Sequence, residues 1–318
     1  MPTAHALSLV ADIGGTNTRV ALAQGKKVQQ ASIRRFHNAD YPGLEPILRQ
    51  YLAEAGAPAC VGACVAAAGP VHDGVATMTN LDWIIDDALL TRATSAATVA
   101  ILNDLQAQGH ALGHIAADNL LPVLPGHPAP AHAAKLVVGV GTGFNAAPVH
   151  ETKWGRLVAA SECGHVNMPI RHDADLALAH FVEAEHGFAG AEEVMSGRGL
   201  EALYAFVTAD SGLPGARTAA EIMGAIAEDG PETAAARLFV RMLGMQVGNL
   251  ALIHLPFGGI YLCGGVSRAI APHLTAMGFA EAFHDKGRFA GFMQNFPVSV
   301  ITDDYAALTG CAVFLAQA

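Results

Sequence analysis

The sequence predicts an α/β protein of two lobes, each a mixed sheet flanked by helices on both faces. Three observations carry that expectation. The chain has 318 residues, more than one typical domain needs and enough for two. Short apolar runs bounded by Gly, Pro, Asn or Asp alternate with helical stretches. An outline of strand, glycine turn and strand occurs twice, at Val10–Ala23 and Val137–Val149, and mixed strands and helices follow each time. The repetition predicts two related lobes with a ligand cleft between them.

The elements follow in order. Leu7–Ala11, Thr18–Ala23, Val61–Ala67, Val75–Thr79 and Thr98–Leu102 read as strands. Leu44–Glu54 reads as a helix, because Leu44, Ile47, Leu48, Tyr51 and Leu52 fall on one face and Gly56 follows as a stop. "NDLQAQGHALG" continues as a helix after Leu102. The stretch Pro122–Lys135, rich in Pro, Ala and His, reads as a surface loop. Further strands are expected at Lys135–Val140, Asn145–Val149, Leu157–Ala160, Gly259–Leu262 and Val298–Ile301. A long helix is expected from Pro231 to His254, with proline in its first turn. Leu238, Phe239, Met242, Leu243, Leu250 and Ile253 should supply its buried side. A last helix runs from Asp303.

Composition narrows the function. Hydrophobic residues make up 52% of the chain and charged ones 14%, so large cores are available. No run reaches the roughly 18 apolar residues of a membrane span. The N-terminus carries no basic leader, so a signal peptide is not expected. A net charge of −10 argues against nucleic acid, whose backbone needs a cationic surface. The five cysteines are scattered and form no CxxC, which fits a reduced, cytoplasmic chain. The fifteen histidines show no HExxH and no metal cluster.

The glycine turns point to phosphate. "VADIGGTNTRVALA" crosses Gly14 and Gly15 between two strands, with Thr16 and Asn17 as side-chain donors. Backbone amides in such a turn form a nest for an anion. Asp12, at the strand end, is placed to hold water on a magnesium ion. Gly141-Thr142-Gly143 repeats the outline, and Gly264-Gly265 ends a third strand before a helix. Each is also what a plain turn or strand end requires. There is no GxxxxGK[ST], no GxGxxG opening a helix after the first strand, and no protein-kinase motif set.

"DIGGTNTR" (Asp12–Arg19), "GTG" (Gly141–Gly143) and "CGGV" (Cys263–Val266) resemble the two phosphate motifs and the adenosine motif of the actin–hexokinase–Hsp70 superfamily. "TNLDW" (Thr79–Trp83), "LND" (Leu102–Asp104), "ECGHV" (Glu162–Val166), "AEEVMSGRGL" (Ala191–Leu200) and "DKGRF" (Asp285–Phe289) resemble the bacterial glucokinase family within it. The motifs keep the family's order along nearly the whole chain. The resemblance implies the two-lobed actin-like (ribonuclease H-like) fold. Residues 1–110 and 303–318 would form a small α/β lobe, and residues 111–302 a large one. It also implies ATP with Mg²⁺, a small-molecule sugar substrate, neither nucleic acid nor membrane as partner, and a homodimer as one assembly.

Two readings of Asp104 stand at this point. A helix begins there, and Asp is a favoured N-cap. A carboxylate within reach of a sugar hydroxyl would instead act as general base while that oxygen attacks the γ-phosphorus. The resemblance makes Asp104 the catalytic residue. It assigns Asn80, Asn103, Asp104, Glu162, His165 and Glu192 to the sugar. Ala11, Asp12, Ile13, Gly14, Gly15, Thr16, Asn17, Gly141, Thr142, Gly143, Gly264 and Gly265 go to the nucleotide, and Asp12 to Mg²⁺ through water. The chemistry suits a neutral polyol, which must be recognised by several fixed acceptors and donors.

The chain departs from the family pattern at Phe144 and Asn145, where small glycine-like residues are usual, and at Cys163, in place of glycine. The zinc motif of the related repressor–kinase group is absent. The expected reaction is ATP-dependent phosphorylation of glucose to glucose 6-phosphate. Rival expectations are the same chemistry on another hexose, a sugar or nucleotide sensor without turnover, and an ATPase of the chaperone or actin type.

Overall fold

The computed structural model describes residues 6–78, 81–209, 211–212 and 215–317. The chain forms two compact units: one of Met1–Ala117, Trp154–Val158 and Asp303–Ala318, the other of Asp118–Lys153 and Ala159–Thr302.

The first unit is built on strands β1 (Leu7–Ile13), β2 (Asn17–Gln24), β3 (Lys27–Val28), β4 (Arg34–His37) and β5 (Cys60–Ala67). The small strands β6 (Val71–His72), β7 (Val75–Thr77) and β8 (Ile84–Ile85) form a sheet of their own, and β9 (Thr98–Asn103) closes the series. The main sheet runs β3-β2-β1-β5-β9, with β4 on β2. The β1–β2 hairpin is antiparallel, whereas β1, β5 and β9 run parallel.

Side chains alternate along a strand, and β1 uses both faces. Leu9, Ala11 and Ile13 pack with Leu44, Ile47, Leu48 and Tyr51 of helix α1 (Leu44–Glu54) and with Leu90 of α2 (Asp87–Thr94). Val10 points the other way, into a core with Ala107 of α3 (Asp104–Ala111) and Leu308, Cys311 and Ala312 near the C-terminus. Those last residues belong to a helix over Ala306–Leu315.

The second unit holds β10 (Leu120–Leu124), β11 (Lys135–Val140) and β12 (Phe144–Thr152). The next strand, β13 (Gly155–Val158), belongs to the first unit, where Arg156 donates to the carbonyls of Gly109, His110 and Leu112. The second unit continues with β14 (Ile260–Cys263) and β15 (Val298–Ile301) in the order β10-β15-β14-β11-β12. Pro122–Leu124 is therefore the end of an edge strand paired with β15, not the start of a loop. An edge strand tolerates the absence of the amide donor that proline lacks.

The helices of this unit include α4 (Asp173–His186), α5 (Glu192–Met195), α6 (Gly197–Thr208), α7 (Ala219–Gly224), α8 (Pro231–His254), α9 (Gly265–Ile270) and α10 (Phe279–His284). Phe239, Val240, Met242, Leu243, Val247 and Leu250 of α8 are core residues. Ile253, expected on that buried side, is 68% exposed, although Leu250 and Ala251 of the same turn are buried. No described helix is long and apolar enough to cross a membrane.

Candidate active site

In the first unit the parallel register fixes what meets at one sheet edge. Ile13 lies opposite Ala67, and Ala67 opposite Asn103. The C-terminal ends of β1, β5 and β9 are therefore level. Ala11, Asp12 and Ile13 end β1, Gly14–Thr16 form the turn, and Asn17 opens β2. Asn103 ends β9 and Asp104 starts α3 at the same edge, the edge where parallel sheets place their ligands.

The glycine turn is closed by Gly14 N–H donating to Asn17 O at 3.0 Å. Gly15 and Thr16 are exposed. Asn38 lies beneath the turn, only 2% exposed. Its Nδ2 donates to the carbonyls of Gly14 and Gly15, and its Oδ1 accepts from Thr18 Oγ1 at 2.8 Å. Sequence reading missed Asn38, and nothing in "FHNAD" signals it. Arg19 closes the Asp12–Arg19 motif. Its Nη1 donates to Asp12 Oδ2 at 3.1 Å.

The cap of α3 is Asn103, not Asp104. Asn103 Oδ1 accepts from Leu105 N at 3.0 Å, and Gln106 Oε1 accepts from Asn103 N at 2.9 Å, completing a capping box. Asn103 Nδ2 also donates to Gly69 O. Asp104 keeps a partly accessible surface and accepts from Leu105 N through Oδ1 at 2.9 Å. Burial, and then the negative charge of Asp12, push its carboxyl up to about 6.

The second unit has the same plan. Gly139 of β11 lies opposite Cys263 of β14 in a parallel pair. The turns after Val140 and Cys263 therefore share an edge. Gly264 sits at φ +102°, and a side chain there would meet Val140 O at 2.4 Å, so glycine is required. Gly141 N–H donates to Gly143 O, and Gly197 N–H donates to Gly141 O at 2.8 Å, which docks the start of α6 on the turn.

Glu192, first in α5, reaches this turn as well. Its Oε2 accepts from Phe144 N at 2.8 Å, and its Oε1 accepts from Arg198 Nη2 at 3.0 Å. Glu162 and His165 bracket a short 3₁₀ turn over Cys163–His165 and are exposed. His165 N–H donates to Glu162 O at 3.1 Å. A side chain at Gly164 would meet Phe144 O at 2.1 Å. Cys163 has no positive φ, so cysteine stands there without backbone strain. Burial pushes its thiol up, away from the thiolate a metal would need.

Asn80 lies outside the described residues. Asp104, Asp12 and the first glycine turn thus gather in one unit. Glu162, His165, Glu192 and the other two glycine turns gather in the other. Among the described residues no three His, Cys, Asp or Glu side chains are grouped to hold a metal.

The profile of the Glucokinase family matches residues 9–318. A glucokinase of Pseudomonas paraeruginosa is 36% identical over 98% of this chain and 93% of its own length. The chain belongs to the glucokinase family. The crystal structure of a glucokinase from an Antarctic psychrotroph aligns with a TM-score of 0.86 at 30% identity, covering 98% of this chain and 99% of that one. A glucokinase from Balamuthia mandrillaris, solved in complex with glucose, shares the fold at a TM-score of 0.82 and 19% identity, over 98% of this chain and 94% of that one. Glucokinase-family membership makes this chain an enzyme, and its fold is the two-lobed α/β architecture of these sugar kinases.

Proposed function

We propose that Asp104 is the general base of this glucokinase-family enzyme. The reaction is ATP-dependent phosphorylation of glucose to glucose 6-phosphate. Asp104 takes the proton of the sugar's 6-hydroxyl as that oxygen attacks the γ-phosphorus of ATP. One observation carries the reading: Asn103 caps the helix, so the cap does not require Asp104, whose partly accessible carboxyl is pushed up to about 6. Such a group is ionised at neutral pH and is still basic enough to receive a proton.

Glu162, His165 and Glu192, with Asn80 and Asn103, recognise the sugar hydroxyls. Carboxylates accept strong hydrogen bonds from vicinal alcohols. Gly14–Asn17, Gly141–Gly143 and Gly264–Gly265 receive the nucleotide. The exposed residues Gly15, Thr16, Thr142 and Gly265 and the docked start of α6 supply donors where the turns carry no lysine.

Mg²⁺ is proposed to arrive with ATP and to neutralise charge on its phosphates when bound. The residues fit such an ion. Mg²⁺ keeps several waters and takes one or two carboxylates rather than a full protein cage. Asp12 has one oxygen on Arg19, and this ties the carboxylate in place at the strand end. A cytoplasmic location is proposed from the five free cysteines, and a homodimer from the family resemblance.

The test is Asp104→Asn, assayed for sugar-dependent ADP release across a panel of hexoses. Glucose binding by calorimetry should persist while turnover falls by about 10²–10⁴-fold, the usual contribution of a general base. Near-normal turnover removes Asp104 as the base.

A further inference from the structure

We propose that Asn145 is a positioning residue for sugar selection, which it exerts by fixing the carboxylate of Glu162. The inference rests on the reading of Glu162 as a sugar ligand. Asn145 is second in β12, half-buried and opposite Gly139. Its Nδ2 donates to Ser161 O at 2.5 Å and to Glu162 Oε2 at 3.1 Å. Its Oδ1 accepts from Cys163 N and from Ser161 Oγ, both at 3.1 Å. A single amide therefore grips three consecutive residues, 161 to 163, and ties them to the sheet.

The consequence for Glu162 is directional. Its side chain is exposed, so packing does not select its rotamer. Asn145 occupies Oε2, and no described donor meets Oε1. A carboxylate held in this way presents one acceptor at a fixed place. A freely rotating glutamate would follow a misplaced hydroxyl, whereas a fixed one leaves it unpaired. Selection among hexose epimers depends on that difference. Preorganisation also removes the cost of freezing a glutamate side chain on binding. Asn145 touches no reacting atom in this scheme, so its effect appears in sugar affinity and not in chemistry.

Asn145→Asp is the discriminating variant. It keeps the shape, and it keeps the oxygen that accepts from Cys163 N–H and the Ser161 hydroxyl. It replaces the donor to Glu162 Oε2 and to Ser161 O with an anionic oxygen. Glucose Kd by calorimetry without nucleotide should rise at least about tenfold at pH 8, with kcat and the KM for ATP near wild type. Preference for glucose over its epimers should narrow. Glucose affinity should recover as pH falls, because two facing carboxyls share a proton and regain a donor. Protonation can restore the donor to Ser161 O as well, so the recovery is read together with a Glu162→Gln background, on which a merely structural role would keep the Asn145→Asp loss. On a Glu162→Gln background the effect of Asn145→Asp should vanish, since the glutamine amide donates to the new carboxylate. If Asn145→Asp does not fold, Asn145→Ala removes the donor without adding charge and should weaken glucose binding with no pH recovery.

Unchanged glucose Kd in the Asn145 variants, beside a large loss in Glu162→Gln, overturns the positioning role. Equal losses of glucose and ATP affinity overturn it too, by showing general damage to the 141–143 turn. Unchanged glucose Kd in Glu162→Gln overturns instead the assignment of Glu162 to the sugar.

Discussion

Asn38 Nδ2 donates to Gly14 O at 2.7 Å, across 24 positions of sequence. The same amide group reaches Gly15 O at 3.2 Å, while Asn38 N–H donates to Thr16 O at 2.9 Å. The first glycine turn is thus held through its carbonyls, and Gly15 and Thr16 stay exposed. Asn38→Ala would strand the buried Thr18 hydroxyl and the half-buried Gly14 carbonyl, which costs about 1–3 kcal/mol. The expected outcome is a lower unfolding midpoint and a KM for ATP raised more than the KM for glucose. A selective loss of glucose affinity would contradict the assignment of this turn to the nucleotide.

Arg198 bears on the other glycine turn through Glu192. The arginine side chain is 61% exposed, so the ion pair itself contributes roughly 0–1 kcal/mol to stability. Its positional effect is larger, because it fixes Oε1 while Phe144 N–H fixes Oε2. Arg198→Gln should leave the unfolding midpoint within a degree or two, while the KM for glucose rises several-fold with kcat little changed. Steady-state kinetics beside a thermal melt decide this. A large stability loss with an unchanged glucose KM would make the arginine structural only.

Much of this was legible wherever a residue's role is local. Leu44–Glu54, Lys135–Val140, Pro231–His254 and Val298–Ile301 have the expected bounds, because period and punctuation along the chain determine them. The apolar run Leu7–Ala11 was legible as a core strand, and the structure buries Leu9, Val10 and Ala11 on both of its faces. Roles set by distant partners were not legible. Asn38 acts on residues more than twenty positions away. Asn103 takes the cap next to an equally eligible aspartate, and Gln106 completes it. Pro122 suits a loop until an edge strand is known to need no amide from it. Asn145, visible only as a departure from the family pattern, gains a role once Ser161, Glu162 and Cys163 are seen around it.

Packing between α3 and the C-terminal helix locates the proposed base, and Gly310 leaves no room for a side chain there. A side chain there would meet Ala107 O at 1.7 Å. Gly310→Ala must push the two helices apart, and overpacking of this kind costs about 1–3 kcal/mol. Because Ala107 lies one turn beyond Asp104, kcat should fall together with stability. A thermal melt paired with turnover measured well below the midpoint checks this. A destabilised variant with full kcat would show that the base tolerates the displacement.

The raised carboxyl of Asp104 ties activity and stability to pH in opposite senses. With burial as the larger cause and the charge of Asp12 as the second, it moves from an ordinary 3.8 to about 6. The base must be ionised, so kcat/KM for glucose should fall about tenfold per unit below pH 6. Stability runs the other way. The folded state holds this proton more tightly than the unfolded chain, so ionisation disfavours the fold. That penalty is fully present above pH 6, on the order of 2–3 kcal/mol. It is relieved as pH falls through 6 toward 4. Asp104→Asn should therefore be more stable than the parent chain at pH 7.5, and the gap should close near pH 4. Asp12→Asn removes the second cause and should move the acid limb of kcat/KM downward. Denaturant titrations of the ligand-free protein at both pH values, with pH–rate profiles of parent and Asp12→Asn, test the two limbs separately. An Asp104→Asn variant less stable than the parent at pH 7.5 would show that the carboxylate is held by favourable contacts and is not strained by burial.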